Sequence, residues 1–189
     1  MALEPITMYP VIFDAPNANN AGKFLQNQGG ASTGNAEAAN WATVNLSSLG
    51  YTSAQATSAT PTGTTSATAV MMGLGALGTP ASITPGVTGR VRLQISGQMA
   101  NSTINDGVTV DLRYGTGTAP ANGAAVTGTL GGISQTATSL VAAQRSGFTL
   151  QAVVTGLTVG TAYWFDASVL AVTGGTASIF GVTATAVEF

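Results

Sequence analysis

The chain has 189 residues, of which 44% are hydrophobic and only 6% are charged, and its formal net charge is −2. Because neither histidine nor cysteine occurs, histidine-dependent triads, thiol catalysis and the usual zinc sites are excluded. The basic residues are scattered singly and no apolar run approaches the roughly 18 residues of a membrane span, so we expect neither a nucleic-acid partner nor a membrane.

Residues 1–50 are predicted to form an anchoring arm that contains a hairpin. Pro5, Pro10 and Pro16 favour extended or turn backbone over helix at its start. Between Asn- and Gly-rich turns the segment carries large apolar groups that suit contact with another molecule. We expect the partner-binding side chains of the arm to be Tyr9, Phe13, Phe24, Leu25 and Trp41.

The amino-acid composition changes after the arm. Residues 51–69 are rich in Ser, Thr and Ala and hold few packing groups, which predicts a linker or an extended segment on another surface. Residues 70–189 are predicted to be the head. Apolar residues there recur with a period of two, as in Val91, Leu93 and Ile95, and glycine-rich turns separate the strands.

This pattern predicts an all-β fold, an antiparallel β-sandwich. Two arrangements compete. The run from Leu157 to Tyr163 resembles the tyrosine corner of fibronectin-like and immunoglobulin-like sandwiches. The strands from Gly89 to Phe189, with a hydrophobic last strand, look more like the eight-stranded jelly roll of trimeric tumour-necrosis-factor-like and C1q-like heads. We prefer the jelly roll and keep the fibronectin-like sandwich as the alternative.

Three carboxylates, Asp106, Asp111 and Asp166, are candidates for metal binding or acid–base catalysis. Asp106 precedes Gly107 in a turn and is expected to cap backbone amides. Asp111 shares a strand face with Arg113, and Asp166 is expected to pair with an arginine or to face water. No calcium-loop spacing is present, and a glycosidase needs two carboxylates that face each other across a cleft. We therefore expect no enzyme activity, no catalytic residue, no metal and no cofactor.

Three further features have alternative interpretations. The glycines of residues 73–78 fit the G-x-G-x-x-G pattern, but prolines follow instead of a helix, so we expect a flexible approach to the first sandwich strand. Met71 and Met72 suit either the core or an adaptable contact with a neighbour. Trp164 alternates with Tyr163, which suits a subunit interface or a sugar platform, and the sequence does not separate the two.

Two stretches resemble known proteins. The run A-G-K-F-L-Q-N-Q-G at residues 21–29, followed by the tryptophan-containing segment at 39–44, resembles a hairpin common in phage tail-fibre and virion-associated proteins. Residues 64–189, with R-Y-G-T-G-T-A-P at 113–120 as the most specific string, look like a mostly uncharacterised family of virion proteins in tailed phages and prophages.

The resemblance implies a location in the virion, on the capsid surface or the tail, after a soluble stage in the host cytoplasm. Because shaft repeats are not visible, we expect a capsid decoration (cement) protein or a short head fibre that stabilises the shell. The alternative is a tail-fibre tip or adhesin that binds host glycans. By analogy with jelly-roll heads we expect a homotrimer, with the major capsid protein or another virion protein as partner.

Overall fold

The computed structural model describes residues 23–26, 40–43, 50–57, 60–76 and 81–189. The chain divides into two compact units, residues 1–45 and 46–189. In the first unit, β1 (Lys23–Gln26) pairs antiparallel with β2 (Asn40–Thr43), and Leu25 lies opposite Trp41. The two strands thus form an antiparallel pair within the arm.

The second unit is a two-sheet sandwich whose strands run antiparallel to their neighbours. Among the described residues there is no helix of the length and hydrophobicity that a bilayer span requires. One short 3-10 turn, Leu74–Ala76, interrupts the strands. In chain order the strands are β3 (Ser53–Thr57), β4 (Val70–Met71), β5 (Ser82–Ile83), β6 (Val91–Asn101), β7 (Gly107–Thr116), β8 (Thr129–Thr138), β9 (Ser146–Val154), β10 (Tyr163–Ala171) and β11 (Ala177–Glu188).

The strand order identifies the sandwich as a jelly roll. One sheet has the order β3-β11-β6-β9, and the other has β4-β10-β7-β8, with β5 also paired to β10. When β4 and β5 are taken as one interrupted strand, eight successive strands pair as 1-8-3-6 and 2-7-4-5, the order of a jelly roll. In an immunoglobulin-type sandwich the last strand lies beside the preceding one, whereas β11 here lies between β3 and β6. The predicted jelly roll is confirmed over the fibronectin-like alternative.

The hydrophobic core is formed by the apolar side chains that alternate along the strands. Along β9 and the first half of β6 every second side chain is buried, which places Val91 and Ile95 inside the sandwich beside Val154 and Leu150 of the neighbouring strand. Each such side chain stabilises the fold by about 1.5–3 kcal/mol relative to exposure. The second sheet adds further fully buried groups, including Leu112, Phe165 and Val169.

The sandwich takes in residues for which the sequence predicted a linker. β3 pairs along Ser53–Thr57 with the end of β11, and Thr64 bridges to Ala177. Ala56 is buried against the core although the segment has no large apolar group. Small alternating alanines pack on an edge strand without producing the bulky period-two signal that marked the other strands.

The tyrosine-corner contact is also present. The backbone N–H of Thr158 donates to the hydroxyl oxygen of Tyr163 at 3.0 Å. A local corner of this kind ties the end of a loop to the strand that follows it, whatever the strand order around it. The motif therefore identifies a corner, and the choice between sandwich types depends on where β11 pairs.

Candidate functional site: a rigid loop cluster at one end of the sandwich

One end of the sandwich is organised by Asp106, which follows β6 and precedes β7. Its carboxylate accepts hydrogen bonds from the backbone N–H groups of Gly107, Thr173 and Gly174 at 2.6, 2.9 and 2.6 Å. Burial by itself raises the pKa of Asp106, but these donors hold it below its ordinary value. The predicted capping role is confirmed, and it extends to the loop between β10 and β11.

Asn101, at the end of β6, joins the same loops. Its Nδ2 donates to the carbonyl oxygens of Gly107 and Gly174, both at 3.0 Å, and its Oδ1 accepts from the N–H of Thr103. The side chain is fully buried. An asparagine with three backbone partners in a buried setting fixes the relative position of the segments that it contacts.

Ser139 adds the loop between β8 and β9. Its hydroxyl accepts from the N–H of Asn101 at 3.0 Å, and its backbone exchanges hydrogen bonds with Asn105 and Asp106. The N–H of Ala143 donates to the carbonyl of Asn101. Residues 102–106, 139–145 and 172–176 are therefore held together by buried polar groups, and we call them the loop cluster.

The loop cluster presents apolar side chains to solvent. Single exposed aliphatic side chains are common on protein surfaces, but several of them on fixed loops make a candidate interaction surface. The exposed fractions are 56% for Ile104, 68% for Leu140, 63% for Val141 and 44% for Val172.

Backbone conformation distinguishes the same cluster. Asn105 and Ala143 have φ angles of 60° and 59°, and they are the non-glycine residues of the described chain with positive φ. Asparagine tolerates this left-handed region, whereas for alanine it costs roughly 1–2 kcal/mol. Strained positions of this kind persist where surrounding contacts fix them, and they concentrate at functional sites.

The other described carboxylates, Asp111, Asp166 and Glu188, are also buried in the sandwich. Asp111 contacts Arg113 at 3.4 Å, as predicted, and accepts from the hydroxyl of Ser168 at 3.2 Å. Oδ1 of Asp111 and Nε of Arg113 are buried without a hydrogen-bond partner. Arg113 also lines an open groove together with Ser66 and Gly123, among others. Within the described ranges, no three acidic side chains come close enough to hold a metal ion.

The expectation for Asp166 was wrong. Arg113, its partner in register on β7, turns to Asp111 instead. Asp166 is fully buried and accepts from the N–H groups of Gly73 and Leu74, each at 2.9 Å, and from that of Ala167. Burial raises its pKa to about 6, against the opposing effect of these donors. The glycine-rich segment after Met72 is thus anchored where it meets Asp166.

Trp164 was interpreted as an aromatic open to a subunit or a sugar, and this was also wrong. It is 5% exposed, and its Nε1 donates to the carbonyl of Thr116 at 3.1 Å. Gly115 and Gly128 make room for the ring, because a β-carbon at either position would clash with the indole. Neither a subunit nor a sugar can stack on it in this conformation. Met71 and Met72 are likewise fully buried, which selects the core over a contact with a neighbour.

Sequence reasoning missed Glu188. It lies at an inward position of β11, where a carboxylate is unexpected, and its alternation with Val182, Ala184 and Ala186 was the available signal. Its two oxygens accept backbone N–H groups at 2.6–3.3 Å from Thr52, Gly86, Val87, Thr88 and Gly89. Burial by itself would raise the pKa, but these donors hold it far below the ordinary 4.5.

The five side chains predicted to anchor the arm are not among those that the structure describes. Phe24, Leu25 and Trp41 lie on β1 and β2, of which the backbone alone is described, and Tyr9 and Phe13 lie outside the described residues. Their role stays a prediction. No family model matches the chain, and no curated protein is detectably similar to it.

Proposed function

We propose that the chain is a non-enzymatic structural protein of a bacteriophage particle, a capsid decoration protein or short head fibre. Three features support this proposal. The sequence resembles phage virion proteins in the two stretches described above, the jelly roll is a fold that viral capsid proteins use, and the chain is only 6% charged. In this proposal it is soluble before assembly, forms a homotrimer, and contacts the major capsid protein or another virion protein.

The observation that carries the proposal is the loop cluster. Ile104, Leu140 and Val141 are exposed on loops that buried polar groups hold in place. A fixed apolar surface loses little conformational entropy when it docks, which favours binding to another folded surface. Many copies, each with a modest contact of this kind, would raise particle stability by mass action.

Replacing both Leu140 and Val141 with serine is expected to weaken binding to particles about tenfold or more. The reason is the loss of apolar area buried at the contact, at about 25 cal/mol per Å². Binding is measured by co-sedimentation with particles purified from the host that carries the gene. The matched control is Ile133→Ser, which removes an 84% exposed side chain from the middle of β8. Unchanged binding of the double variant, or equal loss in the control, would contradict the role of the loop cluster.

Deleting residues 1–45, the first compact unit, is expected to abolish co-sedimentation. The arm and the loop cluster act as two linked contacts, and loss of one converts a tight interaction into a weak one. The truncated chain should still show a cooperative thermal transition, because the core lies in residues 46–189. Full-strength binding by the truncated chain would refute the anchoring role of the arm.

A tail-fibre tip or adhesin that binds host glycans is the second candidate. The outer face of the four-stranded sheet favours it, because exposed amide and hydroxyl side chains such as Gln55, Thr149 and Gln151 cover that face. Such groups both donate and accept hydrogen bonds, as sugar hydroxyls do. Binding to host cells without binding to particles would select this candidate over decoration.

A further inference from the structure

The outer face of the β3-β11-β6-β9 sheet is uncharged across its middle. Register places side chains of adjacent strands side by side in rows, and strands lie about 4.8 Å apart. One row runs across all four strands as Gln55, Thr185, Gln94 and Gln151. The next row holds Thr183, Ser96 and Thr149. We call these two rows the amide–hydroxyl face.

Arginines stand at both ends of the amide–hydroxyl face. At one end Arg92 projects from β6, and Arg90 lies over the ring of Phe189 at 4.9 Å. At the other end Arg145 lies over the ring of Phe180 at 4.1 Å and donates to Oε1 of Gln98 at 3.3 Å. An arginine stacked on an aromatic ring is held in place, while the edge of its guanidinium stays free to donate hydrogen bonds.

The charge on this surface is one-sided. All four acidic side chains of the described sandwich are buried, at 8% exposure or less. Among the residues whose exposure the structure describes, the exposed charged side chains are Arg90, Arg92 and Arg145. The one ion pair of the described residues joins Asp111 to Arg113, so none of the four carboxylates pairs with the exposed arginines.

We propose that the amide–hydroxyl face binds a carboxylated polysaccharide. The sugar hydroxyls would contact the two polar rows, and carboxylates along the polymer would pair with the arginines at the two ends, which suit bidentate hydrogen bonding. Arg92 and Gln98 are six residues apart on β6, which places the two ends roughly 20 Å from each other. An extended polymer is long enough to reach both.

A carbohydrate fits this face better than a protein does. The centres of protein interfaces are enriched in aromatic and apolar side chains, whereas the two central rows contain only Gln, Thr and Ser. A second copy of the face is a poorer occupant, because it brings arginines and no exposed carboxylate side chain to pair with them. Particle binding was assigned to the arm and to the apolar side chains of the loop cluster. Apart from Arg145, which lies in that cluster, the residues of the present proposal lie elsewhere in the chain.

The test uses the full chain and polygalacturonate immobilised on a biosensor, at low salt. We expect saturable binding that weakens as salt is added, and little binding to neutral dextran. Arg92→Gln and Arg145→Gln should each weaken binding about tenfold, and the double variant more. Lys23→Gln removes the same charge from β1 and is the matched control, expected to bind within about twofold of the unchanged chain. Thermal melting verifies that each variant is folded.

Each other outcome overturns the proposal. Absence of binding, or equal retention on dextran, would remove the carboxylated polymer as ligand. Equal loss in Lys23→Gln would show a general charge effect in place of a site. Equal competition by poly-L-glutamate would assign the face to an acidic protein. Particle co-sedimentation of the Arg92→Gln variant separates the two proposals, because Arg92 lies outside the arm and the loop cluster and this variant should sediment normally.

Discussion

Replacing Asp166 with alanine is expected to lower the free energy of unfolding by about 3–5 kcal/mol. The change leaves the N–H groups of Gly73, Leu74 and Ala167 without their acceptor in a fully buried setting, and each unsatisfied buried donor costs about 1–3 kcal/mol. Chemical denaturation, with the midpoint and slope both fitted, measures the loss. A loss below about 1 kcal/mol would show that the cap on the glycine-rich segment contributes little.

The pH dependence of the same site has a definite sign. Burial raises the pKa of Asp166 from 3.8 to about 6, so its protonated form is favoured in the folded state. Stability from this group is fully present below pH 3.8 and is lost as the pH rises towards 6, by about 3 kcal/mol. Asp166→Asn cannot titrate and keeps the shape. The stability of the native chain minus that of Asp166→Asn should therefore fall between pH 4 and 7, and a rise would contradict the assignment.

Replacing Glu188 with alanine is expected to cost about 2–4 kcal/mol at neutral pH. Its carboxylate accepts from the backbone at residues 86–89 and at Thr52, so it ties β11 to the segment before β6 and to the start of β3. Several of these donors are partly exposed, and water would replace some of the lost bonds, which keeps the cost below the sum for fully buried donors.

Glu188→Gln separates the charge from the shape. It keeps an acceptor for Val87 and Thr88 but places an amide N–H against Gly86, so we expect about half of the alanine loss. Because the donors hold the pKa of Glu188 far below 4.5, its stabilisation is present above that pH and is lost as the pH falls below it. The difference in melting temperature between the native chain and Glu188→Gln should therefore shrink from pH 6 to pH 3. A constant difference would show that charge contributes nothing.

The pKa values of the two carboxyl groups shift in opposite directions because burial and hydrogen bonding balance differently at each. Asp166 is deeper in the protein and has fewer donors, so the loss of hydration dominates. Glu188 has more donors around both oxygens, and their hydrogen bonds dominate over burial. Acid is thus expected to weaken the hydrogen bonds by which Glu188 ties β11 to residues 86–89. It also removes the free-energy cost of a buried, ionised Asp166.

The regular strands were predictable because large apolar side chains alternate along them. β6, β7, β9, β10 and β11 all show this alternation in the printed sequence and lie where it indicated. β3 was missed because alanine and serine carry almost no hydrophobic contrast, so an edge strand of that composition resembles a linker. The capping role of Asp106 was predictable because one of its hydrogen-bond donors, the N–H of Gly107, is its own neighbour in the turn.

The loop cluster, by contrast, was not predictable. Its members come from three loops whose hydrogen-bonded residues are up to 74 positions apart, and Asn101 and Ser139 are unremarkable polar residues until the fold brings them together. Trp164 was misassigned for a related reason. Alternation correctly placed it on the outer side of β10, but Gly115 and Gly128, which open a space for its ring, belong to distant segments.

By itself, the sequence determined the all-β class, the position of the main strands, the corner at Tyr163 and the scarcity of surface charge. These depend on the alternation of apolar residues, on composition and on contacts between residues close in sequence, all of which can be read from the sequence. Only the tertiary structure decided that β11 pairs between β3 and β6, that the carboxylate side chains of the described sandwich are buried, and that its exposed charged side chains are arginines. Those outcomes depend on which distant backbone N–H groups meet each carboxylate, and no local pattern specifies that.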